Sequence, residues 1–535
     1  MSVAAPPDEQ MARRSNSTSL DVSDVRVSID EDASVWRVSG GSSSPPVRLL
    51  TSYGDVVRAI VAEMDRTAAG DRVEFSVYVM EPGASTDAVL RAVRRAAARG
   101  VRVDCTLDCS VVSAFTSWCE GTTTQASRLR ALAEEFSAAN AAANRTGIVT
   151  FSPRAVPTHA KYVVFHRKSQ TPTAVFGGVN IGDRFEQWRD FAIRAEGRAA
   201  VGALAMCVNG EARSPSEVES DAGATRTRRR DDEDAKETKT KTETKKKAAA
   251  FFTVGSRDRN RFRDAEARMN GVGFVANTPT GFDLVASAVP QLRRFPGKFD
   301  VLPALRRLLG DARYDEYVVA CAYLDTAGSE VLKLALDRGA RVVLVMPRTP
   351  NVYRDANAKA LRRLMDEHGN YERGNRERAA AATTETSRSF LPGEAATFRR
   401  ARDARRDDFF SRLFYANANA CANDECERAN DSNDSSRGRG GLTAFVCDDM
   451  LHAKVFLARA RDRSVPSASM IGSCNLKQRS FGQFAELNAL ITQPPVARQL
   501  ERELEAIVAQ SERVGPDADA TRYAEPRATI EEWLG

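Results

Sequence analysis

The chain has 535 residues, 42% hydrophobic and 28% charged, too many for one core and too polar for a polytopic membrane protein, so two globular domains are expected. Its 78 Lys+Arg against 72 Asp+Glu leave a net charge of +6, a balance that predicts no strong general attraction to nucleic acid or anionic lipid. No run of 18 apolar residues offers a spanning helix, and nine scattered Cys without a CxxC pair read as a reduced, intracellular protein rather than a disulfide scaffold or zinc module.

Residues 1–47, rich in Ser, Pro and Asp, show no sustained period and read as a flexible arm. They lack the apolar stretch of a secretory signal, while Arg13 and Arg14 in a Ser-rich run leave an organellar presequence open. Then DVVRAIVAEM (55–64) has helical spacing and VEFSVYVM (73–80) reads as a buried strand. ASTDAVLRAVRRAAARG (84–100) reads as a helix capped near Ser85 or Thr86 and stopped at Gly100, before the strand VRVDCTLD (101–108). Residues 210–271 are dense in charge of both signs and read as a linker, whose Lys245-to-Phe252 stretch is a weak candidate for touching anionic lipid. The earlier order then returns: VLPALRRLLGDAR (301–313, helix), YVVACAYLD (317–325, strand), SEVLKLALDRGA (329–340, helix), RVVLVMP (341–347, strand). A second polar insertion covers about 370–441, with RRDDFFSRLFY (405–415) expected as a short helix within it.

Aligning the two series puts Gly100 opposite Gly339, each ending a helix just before an apolar strand. The chain therefore reads as internally duplicated, with lobes at 48–209 and 272–535, each an α/β sandwich with a parallel or mixed sheet.

Chemistry concentrates in two short segments. THAKYVVF places His159 and Lys161 two apart, and LHAKVFLA does the same with His452 and Lys454. With four His and 13 Lys in the chain, HxK should occur roughly 0.1 times by chance; it occurs twice. On a strand, residues i and i+2 share a face, so each pair aims an imidazole and an ammonium into one space. Each is followed by Gly-x-x-Asn: Gly177-Gly178-Val179-Asn180 and Gly472-Ser473-Cys474-Asn475. A hairpin would return each Asn beside its own HxK, and each half supplies a carboxylate shortly after, Asp190 and Glu486.

Ammonium and amide donors suit the non-bridging oxygens of a phosphodiester. One imidazole is a competent nucleophile at phosphorus and a second can move the proton of the alcohol. A carboxylate on the far ring nitrogen would fix each tautomer, the role given to Asp190 and Glu486, although a surface ion pair is the competing reading for both. Ser473 and Ser480 either contact phosphate or cap a turn. No cluster with metal-ligand spacing accompanies them, so no metal or other cofactor is expected.

These residues resemble the phospholipase D superfamily, whose signature is H-x-K-x4-D followed by G-[GS]-x-N, carried twice. GGVNIGD with WRDFAIRAEG, and GSCNLKQRS with FAELN, are most similar to the bacterial-type cardiolipin synthases. The resemblance covers about 48–208 and 272–510. It implies two similar α/β lobes about a pseudo-twofold axis, both HxK pairs at the seam, and a covalent phosphatidyl-histidine intermediate. It makes His159, Lys161, Asn180, His452, Lys454 and Asn475 catalytic, with Gly178 at the substrate. His159 would be the nucleophile and His452 the acid and base, the reverse assignment staying open. The motif's Asp is missing from both halves, replaced by His166 and Arg459. That place on the strand lies roughly 16 Å further along, too far to touch the same phosphorus, so a structural consequence is expected.

The resemblance implies a phosphatidyltransferase that joins two phospholipids, phosphatidylglycerol-like, with peripheral membrane contact. Competing readings are a hydrolytic phospholipase D, a nuclease, which the balanced charge argues against, and a silent scaffold. The sequence names no protein partner.

Overall fold

The computed structural model describes residues 26–30, 35–39, 47–110, 112–114, 117, 121–142, 148–209, 272–279, 298–369, 440–462, 464–515 and 518–534. The expected linker at 210–271, with its Lys245-to-Phe252 stretch, and the expected helix at 405–415 lie outside them.

In chain order the described strands are β1 (Arg26–Asp30), β2 (Val35–Ser39), β3 (Val47–Leu50), β4 (Arg72–Val77), β5 (Arg102–Asp108), β6 (Ile148–Arg154), β7 (Lys161–His166), β8 (Thr173–Gly177) and β9 (Ala192–Glu196). They continue as β10 (Val272–Thr278), β11 (Lys298–Phe299), β12 (Glu316–Cys321), β13 (Arg341–Pro347), β14 (Leu442–Cys447), β15 (Lys454–Arg459), β16 (Ala468–Gly472), β17 (Glu486–Ile491) and β18 (Glu512–Arg513). One sheet has the order β3-β9-β8-β7-β4-β5-β6, and the other contains β10-β17-β16-β15-β12-β13-β14. Both runs are antiparallel through the first four pairings and parallel through the last two. The duplication is thus a match strand for strand, in an α/β fold of two mixed sheets.

Alternation on the central strands shows how the sheets stack. On β7, Tyr162 and Val164 join a core shared by both lobes, whereas Val163 and Phe165 face the first lobe's own helices. On β15, Val455 and Leu457 face the shared core, and Phe456 and Ala458 the second lobe's helices. Phe176 meets Phe274 edge-on across this seam at 5.7 Å. Each central strand is apolar on both faces because both are covered.

Local capping departs from expectation in an informative way. The helix Ala84–Ala98 is capped neither by Ser85 nor by Thr86: Asp183, far along the chain, accepts the Ala84 and Ser85 amides at 2.7 and 2.9 Å. Gly100 and Gly339 end their helices as expected, at φ of 90° and 81°, where an L side chain is disfavoured. Strand β12 stops at Cys321, short of the expected 325, since Asp325 is committed as N-cap of the helix Thr326–Leu336 and accepts the Gly328 amide at 2.9 Å.

Within 1–47, expected as a flexible arm, β1 and β2 form an antiparallel hairpin, and β2 adds to the edge of the second sheet by pairing with β10. RVSID and VWRVS are each only five residues long. Their β-branched residues are set among Ser and Asp, a signal short enough to be lost in composition.

Candidate active site

Both HxK segments lie at strand starts, and in each the hairpin to the next strand carries the Gly-x-x-Asn turn back. Lys161 pairs with Gly177 across β7 and β8, and Val455 with Ile471 across β15 and β16. Gly177 then pairs with Ala192, and Gly472 with Asn488. By this register Gly178 corresponds to Ser473, Asn180 to Asn475, and Asp190 to Glu486.

The carboxylates cross between lobes. His159 Nδ1 lies 3.1 Å from Glu486 Oε2, and His452 Nδ1 lies 2.7 Å from Asp190 Oδ2. Each imidazole is therefore held by a residue of the other half. The adjoining backbone crosses too. The His159 amide donates to Ala485 O at 2.9 Å and the Ala485 amide to Pro157 O at 2.9 Å. In the second half, the His452 amide donates to Arg189 O at 2.8 Å and the Arg189 amide to Met450 O at 3.0 Å. These backbone bonds, with that of the Ala160 amide to Ala485 O at 2.8 Å, fix both histidines relative to the opposite lobe, so the seam and the site are one structure.

The lysines lie deep in the seam. Lys161 Nζ donates to the His159 carbonyl at 2.7 Å, and Lys454 Nζ, 2.9 Å from His452 Nε2, also donates to the His452 carbonyl. Burial pushes Lys161 down to about 7, helped by the like charge of Lys454, and burial takes Lys454 down to about 8. Burial and then the adjacent lysine depress His159 to about 4 and His452 to about 3. Asp190 and Glu486 are held below the usual carboxylate range by the cations and imidazoles around them, against the opposing effect of burial. The site thus keeps neutral imidazoles beside two anionic carboxylates and two buried lysines whose charged forms burial disfavours.

Gly178 makes room for the crossed carboxylate: a Cβ there would meet Asp190 Oδ1 at 2.3 Å and Oδ2 at 2.6 Å. At the matching place Ser473 donates its hydroxyl to Glu486 and accepts the Leu487 amide at 3.0 Å. Asn180 accepts the Val79 amide at 3.2 Å. Ser480 lies on the short helix Gln478–Gly482, and its hydroxyl, Asn475 Oδ1 and Glu486 Oε1 are buried without a hydrogen-bond partner. Such open polar atoms are scarce in folded proteins, and these three belong to the second motif and the strand after it. A cavity of about 330 Å³ lies beside Glu486, lined by Arg154, Val156, Thr158, Asn277 and Ala485 among others.

His166 and Arg459, at the missing Asp positions, sit at the far ends of β7 and β15 away from the histidines. His166 Nε2 is 3.4 Å from Glu74, while Arg459 binds Glu316 at 2.6 Å and also Glu501.

Sequence reasoning missed the aromatic walls. Trp188 lies 4.8 Å and Tyr323 5.9 Å from the His452 ring, while Tyr78 lies 5.2 Å and Phe484 6.2 Å from His159. Trp188 and Phe484 each stand two residues before a crossed carboxylate, a spacing visible in sequence once the carboxylates are known. It also missed Asp108, buried at the end of β5, which accepts the Ser110 and Thr158 amides just ahead of His159 and is pushed up to about 6 by burial.

Residues 416–508 match a family described as "Cardiolipin synthase, PLD-like domain". No curated protein matches the chain. Similar solved structures include phosphatidylserine synthase of Haemophilus influenzae Rd KW20, at 12% identity and a TM-score of 0.46, over 90% of this chain and 91% of that one. Polyphosphate kinase from Porphyromonas gingivalis is another, at 10% identity and a TM-score of 0.41, over 91% of this chain and 52% of the kinase, about half its length. The family match spans the second HxK pair, His452 and Lys454, and its Gly-x-x-Asn turn at 472–475.

Proposed function

We propose that the protein is a phosphatidyltransferase that moves a phosphatidyl group from one phospholipid to a glycerol hydroxyl of another, as a cardiolipin synthase does. The crossed pairing His159–Glu486 and His452–Asp190 carries the reading. With each Nδ1–H donating to a carboxylate, each Nε2 keeps its lone pair, that of His452 facing Lys454 Nζ at 2.9 Å until substrate oxygens draw the ammonium away. His159 Nε2 attacks the donor phosphorus. The bond from phosphorus to the head-group oxygen breaks, and that oxygen takes a proton from His452. The acceptor hydroxyl then attacks the phosphohistidine, yields its proton to His452, and releases His159. Lys161, Lys454, Asn180 and Asn475 supply donors to the non-bridging oxygens. His452 must be protonated for the first half-reaction although burial opposes this; the charge of the bound phosphodiester acts in the required direction, raising its pKa.

We place lipid access at peripheral contact with an intracellular membrane. No described helix is long and apolar enough to cross one. A hydrolytic outcome differs only in water displacing the acceptor. Incubation with phosphatidylglycerol vesicles in chelator, with products read by mass spectrometry, separates the two. Cardiolipin plus glycerol is expected; phosphatidic acid alone indicates the hydrolase; neither product refutes both.

A further inference from the structure

The two motif loops match in register but not in charge. Two residues beyond Asn180 stands Gly182, which carries no side chain and whose amide donates to Tyr53 Oη at 2.9 Å. Two residues beyond Asn475 stands Lys477, only 5% exposed. Its ammonium lies 3.8 Å from the centre of the Tyr353 ring and 5.2 Å from that of Tyr323, and the same Tyr323 ring stands edge-on to His452. Lys477 is therefore one aromatic ring away from the imidazole assigned to proton transfer.

A purely structural buried lysine is expected to be closely paired. Lys477 forms no ion pair among the described residues. The carboxylate that faces it, Asp325, already accepts the Gly328 and Gln478 amides at 2.9 and 2.7 Å. Arg479 adds a like charge alongside and, with burial, opposes the charged form of Lys477. Tyr353, which covers the ammonium, is held at φ 63°, a left-handed backbone that bulky residues adopt only where surroundings impose it. In the first lobe Arg184, at the place of Arg479, is matched to Glu81 at 2.9 Å.

A transferase that joins two phosphatidylglycerols must hold a second phosphodiester one glycerol away from the reacting phosphorus, and on the side of the base. We infer that Lys477, reinforced by Arg479, binds the phosphodiester of the acceptor phospholipid. The inference rests on the transferase reading. The acceptor's terminal hydroxyl oxygen forms the new bond to phosphorus as the bond to His159 Nε2 breaks, and its proton passes to His452 Nε2. The cation takes no part in these transfers; it sets which nucleophile arrives.

The phosphohistidine partitions between lipid acceptor and water, so the product ratio isolates acceptor binding from everything that precedes it. Phosphatidylglycerol vesicles are incubated with full-length wild type, Lys477→Met, Lys477→Arg and Arg479→Met, and cardiolipin and phosphatidic acid are counted together. Lys477→Met is expected to lower the cardiolipin-to-phosphatidic acid ratio at least tenfold and raise the apparent KM for acceptor. Lys477→Arg should restore most of the ratio, and Arg479→Met should lower it less. With ethanol as the competing acceptor, which bears no phosphate, the alcohol-to-water ratio of Lys477→Met should match wild type. An unchanged lipid ratio in Lys477→Met, or a fall equal for lipid and ethanol, overturns the subsite while leaving the transferase intact. If Lys477→Met does not fold, an unchanged ratio in Arg479→Met overturns it. Wild type that makes no cardiolipin overturns the transferase reading and the subsite with it.

Discussion

Replacing Gly178 with alanine tests the crossed carboxylate without touching a reacting group. The backbone there is not left-handed, so alanine costs nothing in conformation, and the effect is that of one methyl group. That methyl would sit 2.3 Å from Asp190 Oδ1, about 1 Å inside ordinary van der Waals contact. Asp190 must retreat by a similar distance, which breaks its 2.7 Å bond to His452. A 1 Å misplacement of an orienting group costs on the order of 10² in rate, so kcat on phosphatidylglycerol vesicles should fall about 100-fold. Overpacking should destabilise the fold by about 1–3 kcal/mol, which calorimetry reads separately. Wild-type kcat in a folded Gly178→Ala protein would refute the claim that Asp190 orients His452.

His159→Asn and His452→Asn should each cost at least ~10² in turnover, because each removes a group that forms or breaks a bond or moves a proton; a variant with full activity ends the two-imidazole mechanism. After acid quenching, peptide mapping of wild type should find the phosphatidyl adduct on His159, and an adduct on His452 would reverse the roles. Ser473→Ala removes the hydroxyl that donates to Glu486 and should lower kcat/KM up to about tenfold, the equivalent of one hydrogen bond of about 1.4 kcal/mol; an unchanged value would mean Glu486 is held by His159 alone. Stability should also report the buried imidazoles. Folded His452, at about 3, lies below its unfolded value near 6.5, so between these pH values the unfolded chain binds the extra proton and stability falls with falling pH. The slope is about 1.4 kcal/mol per pH unit for one such group. Urea denaturation of His452→Asn between pH 6.5 and 4 should show a slope shallower by that amount, and an equal slope would place His452 in solvent.

Much of the architecture was legible because it rests on local signals. Continuous apolar runs such as KYVVFH and KVFLAR, each preceded by a rare His, mark β7 and β15, and Gly100 and Gly339 mark the repeat. What was not legible depends on contacts between remote segments. Glu486 reaches His159 across 327 positions and Asp190 reaches His452 across 262; spacing within a motif carries no information about which half a carboxylate will serve. The cap of the helix Ala84–Ala98 failed for the same reason, since Asp183 outcompetes the local hydroxyls. Lys477 stands within GSCNLKQRS, but only the rings of Tyr323 and Tyr353 show what surrounds it.

The exchange of carboxylates makes the duplicated halves hostages to one another. A substitution at 190 is felt at 452, and one at 486 is felt at 159, so neither repeat is free to drift alone, and a lobe expressed by itself would present a histidine with nothing to steady it. Two copies that began as equals have become a single indivisible machine, whose natural unit of inheritance is the pair.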